Sequence, residues 1–182
     1  MNVLARAALA LVLWCGSAAG YCRATTCDSQ ASPSCNDAEP ACPVQTWSRS
    51  CLGYVVDADG SGRQGISYEQ ASDAVRRAFD TWLSVDCGGG GGPSLEVHDL
   101  GATWWEAHEY NPDGRNANTW TFRDEGWPHL EHTHAYALTF ARFDQHGSML
   151  DADVEINSAD HAFSLHGDLL GIDLQSVLTH EA

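Results

Sequence analysis

His180 and Glu181 stand side by side near the end of an amphipathic run, Leu174-Gln175-Ser176-Val177-Leu178-Thr179-His180-Glu181-Ala182. Those two residue types in that order can begin an H-E-x-x-H pattern. On a helix its histidines lie at i and i+4 on one face, so both imidazoles reach one Zn²⁺. The glutamate between them reaches the metal-bound water and serves as general base. His180 is therefore a candidate metal ligand and Glu181 a candidate catalytic base. The dipeptide alone is weak evidence, because a His-Glu pair is usually a solvated feature of a helix.

Two other clusters could hold a cation. Asp57-Ala58-Asp59-Gly60-Ser61-Gly62 matches the opening of an EF-hand calcium loop. Its twelfth position should be a bidentate glutamate and is Tyr68. A strand pattern, not a helix, precedes it, so a turn leading into a helix cap is the favoured reading. His129, Glu131, His132 and His134 form the other cluster. On a strand His132 and His134 would share a face, but Pro128 adjoins them and a solvated loop is favoured.

Several elements must position these residues. Cys51–Asp57 reads as a strand. Ser67 and Gln70 make a capping box, and Ala71, Ala74, Val75, Ala78, Phe79, Trp82 and Leu83 follow as one apolar helical stripe to about Val85. Gly88–Gly92 and Pro93 break it. The period then shortens to two in Ser94–Leu100, Asn118–Asp124, Ala135–Asp144 and Ser148–Asn157, the last pair joined by the turn Gln145-His146-Gly147. Asp173 caps a final helix, whose last carbonyls are expected to lack partners. Strand, helix, four strands and a helix predict a mixed sheet with its helices on one side.

The 182 residues suffice for one domain with a real core, and 43% are apolar. A net charge of −16 argues against nucleic acid and against anionic membrane. Arg6, the apolar stretch Ala7–Trp14 and the small residues Gly16–Gly20 read as a signal peptide spanning residues 1–19. Export to the extracellular space is expected. Apart from Cys15 in that segment the chain has Cys22, Cys27, Cys35, Cys42, Cys51 and Cys87, an even set that predicts three disulfides of open connectivity. Residues 20–46 read as a Cys-rich leader.

The run GSMLDADVEINSADHAF followed by DLQSVLTHEA resembles the matrixin branch of the metzincin zinc endopeptidases, above all exported bacterial members. NANTWTFRDEGWPH and AYALTFARFD resemble that family's middle strands, and AFDTW its first helix. The likeness runs from about Trp47 to Ala182. It implies an α+β fold for residues 47–182: the upper subdomain of a metzincin, a twisted five-stranded mixed sheet with two helices. The other zinc-ligand histidines, the Met-turn and the rest of a lower subdomain are expected past Ala182.

The implied activity is that of a secreted zinc metalloendopeptidase that hydrolyses protein or peptide substrates without a covalent intermediate. Glu181 is the implied general base, His180 a ligand of catalytic Zn²⁺, and this chain alone an inactive fragment. Substrate is expected to pair with the edge strand within Ala135–Ala141, at Ala137, Leu138, Thr139 and Phe140. Ca²⁺ is an optional second cation; Asp151, Asp153 and Glu155 share one strand face, where simple exposure is the alternative. Leu138 and Asp153 stand where animal matrixins have structural-zinc histidines, so that site is not expected, and no PRCGxPD propeptide switch is present. The competing reading is an exported non-catalytic binding or structural domain derived from a metzincin.

Overall fold

A computed structural model describes residues 24–27, 42–89, 91–104, 110–114, 116–165 and 171–182. The expected signal segment, Cys22, Cys35 and most of the 20–46 leader lie outside the described residues. The fold is α+β, with a five-stranded mixed sheet and two helices, in agreement with the sequence. Among the described residues no helix is long and apolar enough to cross a membrane.

The sheet has the order β2 (Glu96–Thr103), β1 (Cys51–Asp57), β3 (Asn118–Phe122), β5 (Met149–Ile156), β4 (Ala137–Phe143). Pairing is parallel from β2 through β5, and only β4 runs antiparallel, against β5. β4 is thus an outer strand of the sheet. At the opposite edge β2 continues past the expected end at Leu100 to Thr103, with a register shift in the β1–β2 ladder beside Gly101, whose φ of +99° suits glycine. The short strands β6 (Phe163–Ser164) and β7 (Ile172–Asp173) pair separately and lead into α2 (Leu174–Glu181).

Helix α1 (Tyr68–Leu83) begins where its box predicts: Ser67 N donates to Gln70 Oε1 at 2.9 Å and Ser67 Oγ accepts from Gln70 N at 3.4 Å. Ala71, Ala74, Val75, Ala78 and Phe79 are buried with Leu52, Tyr54 and Val56 of β1, Trp120 and Phe122 of β3, and Val154 and Ile156 of β5. Phe79 stacks on Tyr54 at 5.1 Å and meets Trp120 edge-on at 5.8 Å. Trp82 departs from the expected apolar stripe: it is 48% exposed, and its indole N–H donates to Thr179 O of α2.

Cys27 is bonded to Cys42. The adjoining leader docks on the β4–β5 turn, where Thr46 N donates to Gly147 O at 2.8 Å and Met149 N to Thr46 O at 2.9 Å. Cys51 and Cys87 are exposed free thiols. Of the three bridges expected, the described residues form one.

Candidate active site

Asp173 caps α2 as expected. Its Oδ2 accepts from Ser176 N at 2.8 Å and from Ser176 Oγ at 2.5 Å, satisfying an end amide and placing negative charge at the positive end of the helix. Leu174, Val177 and Leu178 enter the core. Arg77 Nε of α1 donates to Gln175 Oε1 at 3.0 Å, and Trp82 Nε1 donates to Thr179 O at 2.7 Å. The Trp82 bond corrects the expectation that the last carbonyls lack partners, since it occupies Thr179 O one residue before His180.

With the helix fixed in this way, His180 is exposed and Glu181 is half-buried. Glu181 Oε2 accepts a hydrogen bond from Thr139 Oγ1 at 2.5 Å. Register explains the reach. Ala137 and Thr139 lie opposite Ile156 and Val154, on the helix side of the sheet, whereas Leu138 and Phe140 lie opposite Glu155 and Asp153 on the other side. The candidate base is therefore held against the outermost strand, in the segment expected to receive substrate.

A catalytic zinc takes three protein ligands and keeps one position open. His180 supplies one. The described residues contain no group of three His, Cys, Asp or Glu placed to hold a metal ion. Among the described residues His180 therefore has no companion ligands, and no chemical step is assigned to a metal.

The far face of the sheet holds the largest surprise. Asp151, Asp153 and Glu155 share it, as alternation predicts, but they are buried at 3%, 3% and 1% exposure and not solvated. Each has protein partners. Asp153 Oδ1 accepts from Thr119 N at 2.8 Å and Thr119 Oγ1 at 2.7 Å. Glu155 pairs with Arg123 through Oε1, and its Oε2 lies 2.7 Å from His129 Nε2. Burial pushes the Asp151 carboxyl up to about 7, helped by the adjacent Asp153 charge and a hydrogen bond with Asp153, and opposed by Arg142.

The histidine cluster divides. His129 packs between Trp127, at 4.7 Å, and Phe140, at 4.9 Å, and bonds to Glu155. Glu131, His132 and His134 are exposed around the 3-10 turn Leu130–His132. The sequence reading missed the His129–Glu155 contact. Its only local signal was a glutamate on an otherwise ordinary strand.

The Asp57 loop is a hydrogen-bonded turn. Asp57 Oδ1 accepts from Asp59 N at 3.1 Å, and the buried Ser61 donates through Oγ to Asp124 Oδ1 at 2.6 Å. At Gly60, φ +60°, any Cβ would lie 2.3 Å from Ile66 O. Burial alone would raise the Asp124 carboxyl, but Arg63 N–H and the hydroxyls of Ser158 and Ser61 outweigh it and hold it below the ordinary carboxylate range. Gln64, which sequence reasoning also missed, donates to Ser158 O at 2.9 Å and His161 O at 2.5 Å and accepts from Phe163 N at 2.7 Å. It anchors the segment that leads to α2.

No model of a known protein family matches the chain, and no curated protein matches it.

Proposed function

We propose that residues 47–182 are the N-terminal part of the catalytic domain of a secreted zinc-dependent endopeptidase, with His180 a zinc ligand and Glu181 the general base. The observation that carries this reading is the placement of Glu181 against an outermost strand by the Thr139 hydroxyl. An extended peptide added beside β4 would find the carboxylate next to its backbone. The resemblance of DLQSVLTHEA and of the strand before it supplies the chemical class. A zinc held by His180 together with further ligands would supply Lewis acidity. This chain's own share is to orient substrate along β4 and to hold a carboxylate where a proton must be taken and returned.

The decisive experiment extends the chain by the natural continuation of its gene and measures casein cleavage. Chelator-sensitive cleavage is expected, and Glu181→Gln should retain zinc while losing roughly a hundredfold or more in turnover. An extended protein that lacks further histidine ligands, or that binds zinc without hydrolysing peptides, refutes the reading and favours a non-catalytic exported domain.

A further inference from the structure

We propose that Cys51 and Cys87 are the two halves of a second disulfide, a clasp across one end of the β1–α1–β2 unit. The inference is independent of the zinc reading. β1 and β2 are adjacent and parallel, with Cys51 opposite Glu96. Parallel neighbours joined through a helix require that helix to carry the chain back along the sheet. The C-terminal end of α1 therefore returns to the level at which both strands begin. Cys51 is the first residue of β1, and Cys87 lies in the connection from α1 to β2. The same end is closed by Glu96 N donating to Ser50 O at 2.7 Å.

Both thiols are exposed, so each is open to exchange. The sulfur of Cys87 makes only a long contact, 3.9 Å, with Val85 O. Its connection is a turn closed by Cys87 N and Gly91 O at 2.9 Å, with Gly88 and Gly89 at φ +89° and +67°. Glycines let such a turn re-aim Cys87 at little steric cost, and a disulfide needs the two Cα atoms within about 4.4–6.8 Å. Among the described cysteines, the other two are already bonded to each other.

Oxidised glutathione serves as the oxidant. One cysteine, as its thiolate, attacks the glutathione disulfide and forms a mixed disulfide, releasing one glutathione thiol. The second protein thiolate attacks the protein-side sulfur, closing Cys51–Cys87 and releasing the other glutathione. Two protein thiols are oxidised, one disulfide is reduced to two thiols, and the protein's two thiol protons end on the glutathiones.

The test uses the full chain, equilibrated with oxidised glutathione, alkylated with iodoacetamide and digested with trypsin without reductant. Cleavage after arginine places Cys51 in Ser50–Arg63 and Cys87 in Ala78–Arg115. The expected product is these two peptides joined, two hydrogens lighter than their sum, with alkylation at both sites falling to near zero. Cys51→Ser should leave Cys87 alkylated or carrying one glutathione but joined to no other peptide, and Cys87→Ser should do the same for Cys51. Full alkylation of both in the oxidised native chain overturns the proposal, as does recovery of either cysteine linked to Cys22 or Cys35.

Discussion

The hydroxyl of Thr139 donates to the carboxylate of Glu181 across 2.5 Å, joining an outermost strand to the last turn of α2. Hydrogen bonds to charged groups contribute about 1.5–3 kcal/mol when well formed, and less where water competes. Glu181 is half-buried and Thr139 exposed, so the lower part of that range applies. Thr139→Val should cost about 1.5 kcal/mol in urea denaturation, and Thr139→Ser should recover most of it. In a double-mutant cycle with Glu181→Gln the two losses should fall short of additivity. Additive losses would mean that the contact contributes nothing.

The same end of α2 bears on metal affinity. One imidazole gives Zn²⁺ a single protein bond, and each missing ligand removes both a bond and its chelate geometry. The 182-residue chain should therefore bind no zinc tightly through His180 and cleave no casein. Titration calorimetry of the chain against His180→Ala should superimpose. A tight zinc event lost in His180→Ala would reveal ligands that the described residues do not bring together.

How much of this could be read from the sequence depends on how far apart the partners are. Helix α1 was legible because its box and apolar stripe are local, fixed by Ser67, Gln70 and the spacing that follows. The strands were legible by alternation, and alternation also put Asp151, Asp153 and Glu155 on one face. It could not say what covers that face, so their burial was missed. Gln64 meets partners 94 to 99 positions away, and Thr139 meets Glu181 across 42. No local pattern encodes such pairings. Trp82 fitted the stripe by spacing, yet its indole N–H needed an acceptor and found one on α2.

Gln64 offers a direct measure of those long-range contacts. Its side chain is the partner of two carbonyls and one amide in the segment Ser158–Phe163. Gln64→Ala should cost on the order of 2 kcal/mol, because polar groups left without partners in a part-buried site lose more than the bond itself contributes. Hydrogen exchange at the Phe163 amide should accelerate by tenfold or more. Gln64→Glu should keep the Phe163 bond and lose both donations, so slow exchange at Phe163 with reduced global stability is its expected signature.

Asp151 sets the alkaline side of stability. Its carboxyl is raised from an ordinary value near 3.8 to about 7 in the folded chain. Between those values the folded state holds a proton that the unfolded state has released. Stability must therefore fall as pH rises through this window, with a slope approaching one proton and a total on the order of a few kcal/mol. Asp151→Asn keeps a donor toward Asp153 without an ionisable group, so urea midpoints at pH 5 and pH 8 should differ less in the variant than in the parent. Parallel pH profiles would show that Asp151 is ionised throughout.

Asp124 acts with the opposite sign. Desolvation works against its charge, but Arg63 N, Ser158 Oγ and Ser61 Oγ together stabilise the carboxylate and depress its titration in the folded state. Its contribution is complete above the unfolded value near 3.8 and is lost as pH falls through the depressed folded value. Asp124→Asn removes the charge and leaves the amide group facing Arg63 N and two hydroxyls with at most one good acceptor. The variant should be less stable than the parent at pH 7, with the gap narrowing below pH 4. Because Ser61 is committed to Asp124, Ca²⁺ should leave the melting temperature of the parent and of Asp57→Ala equally unmoved; a calcium-dependent rise in the parent alone would make the Asp57 turn a cation site after all.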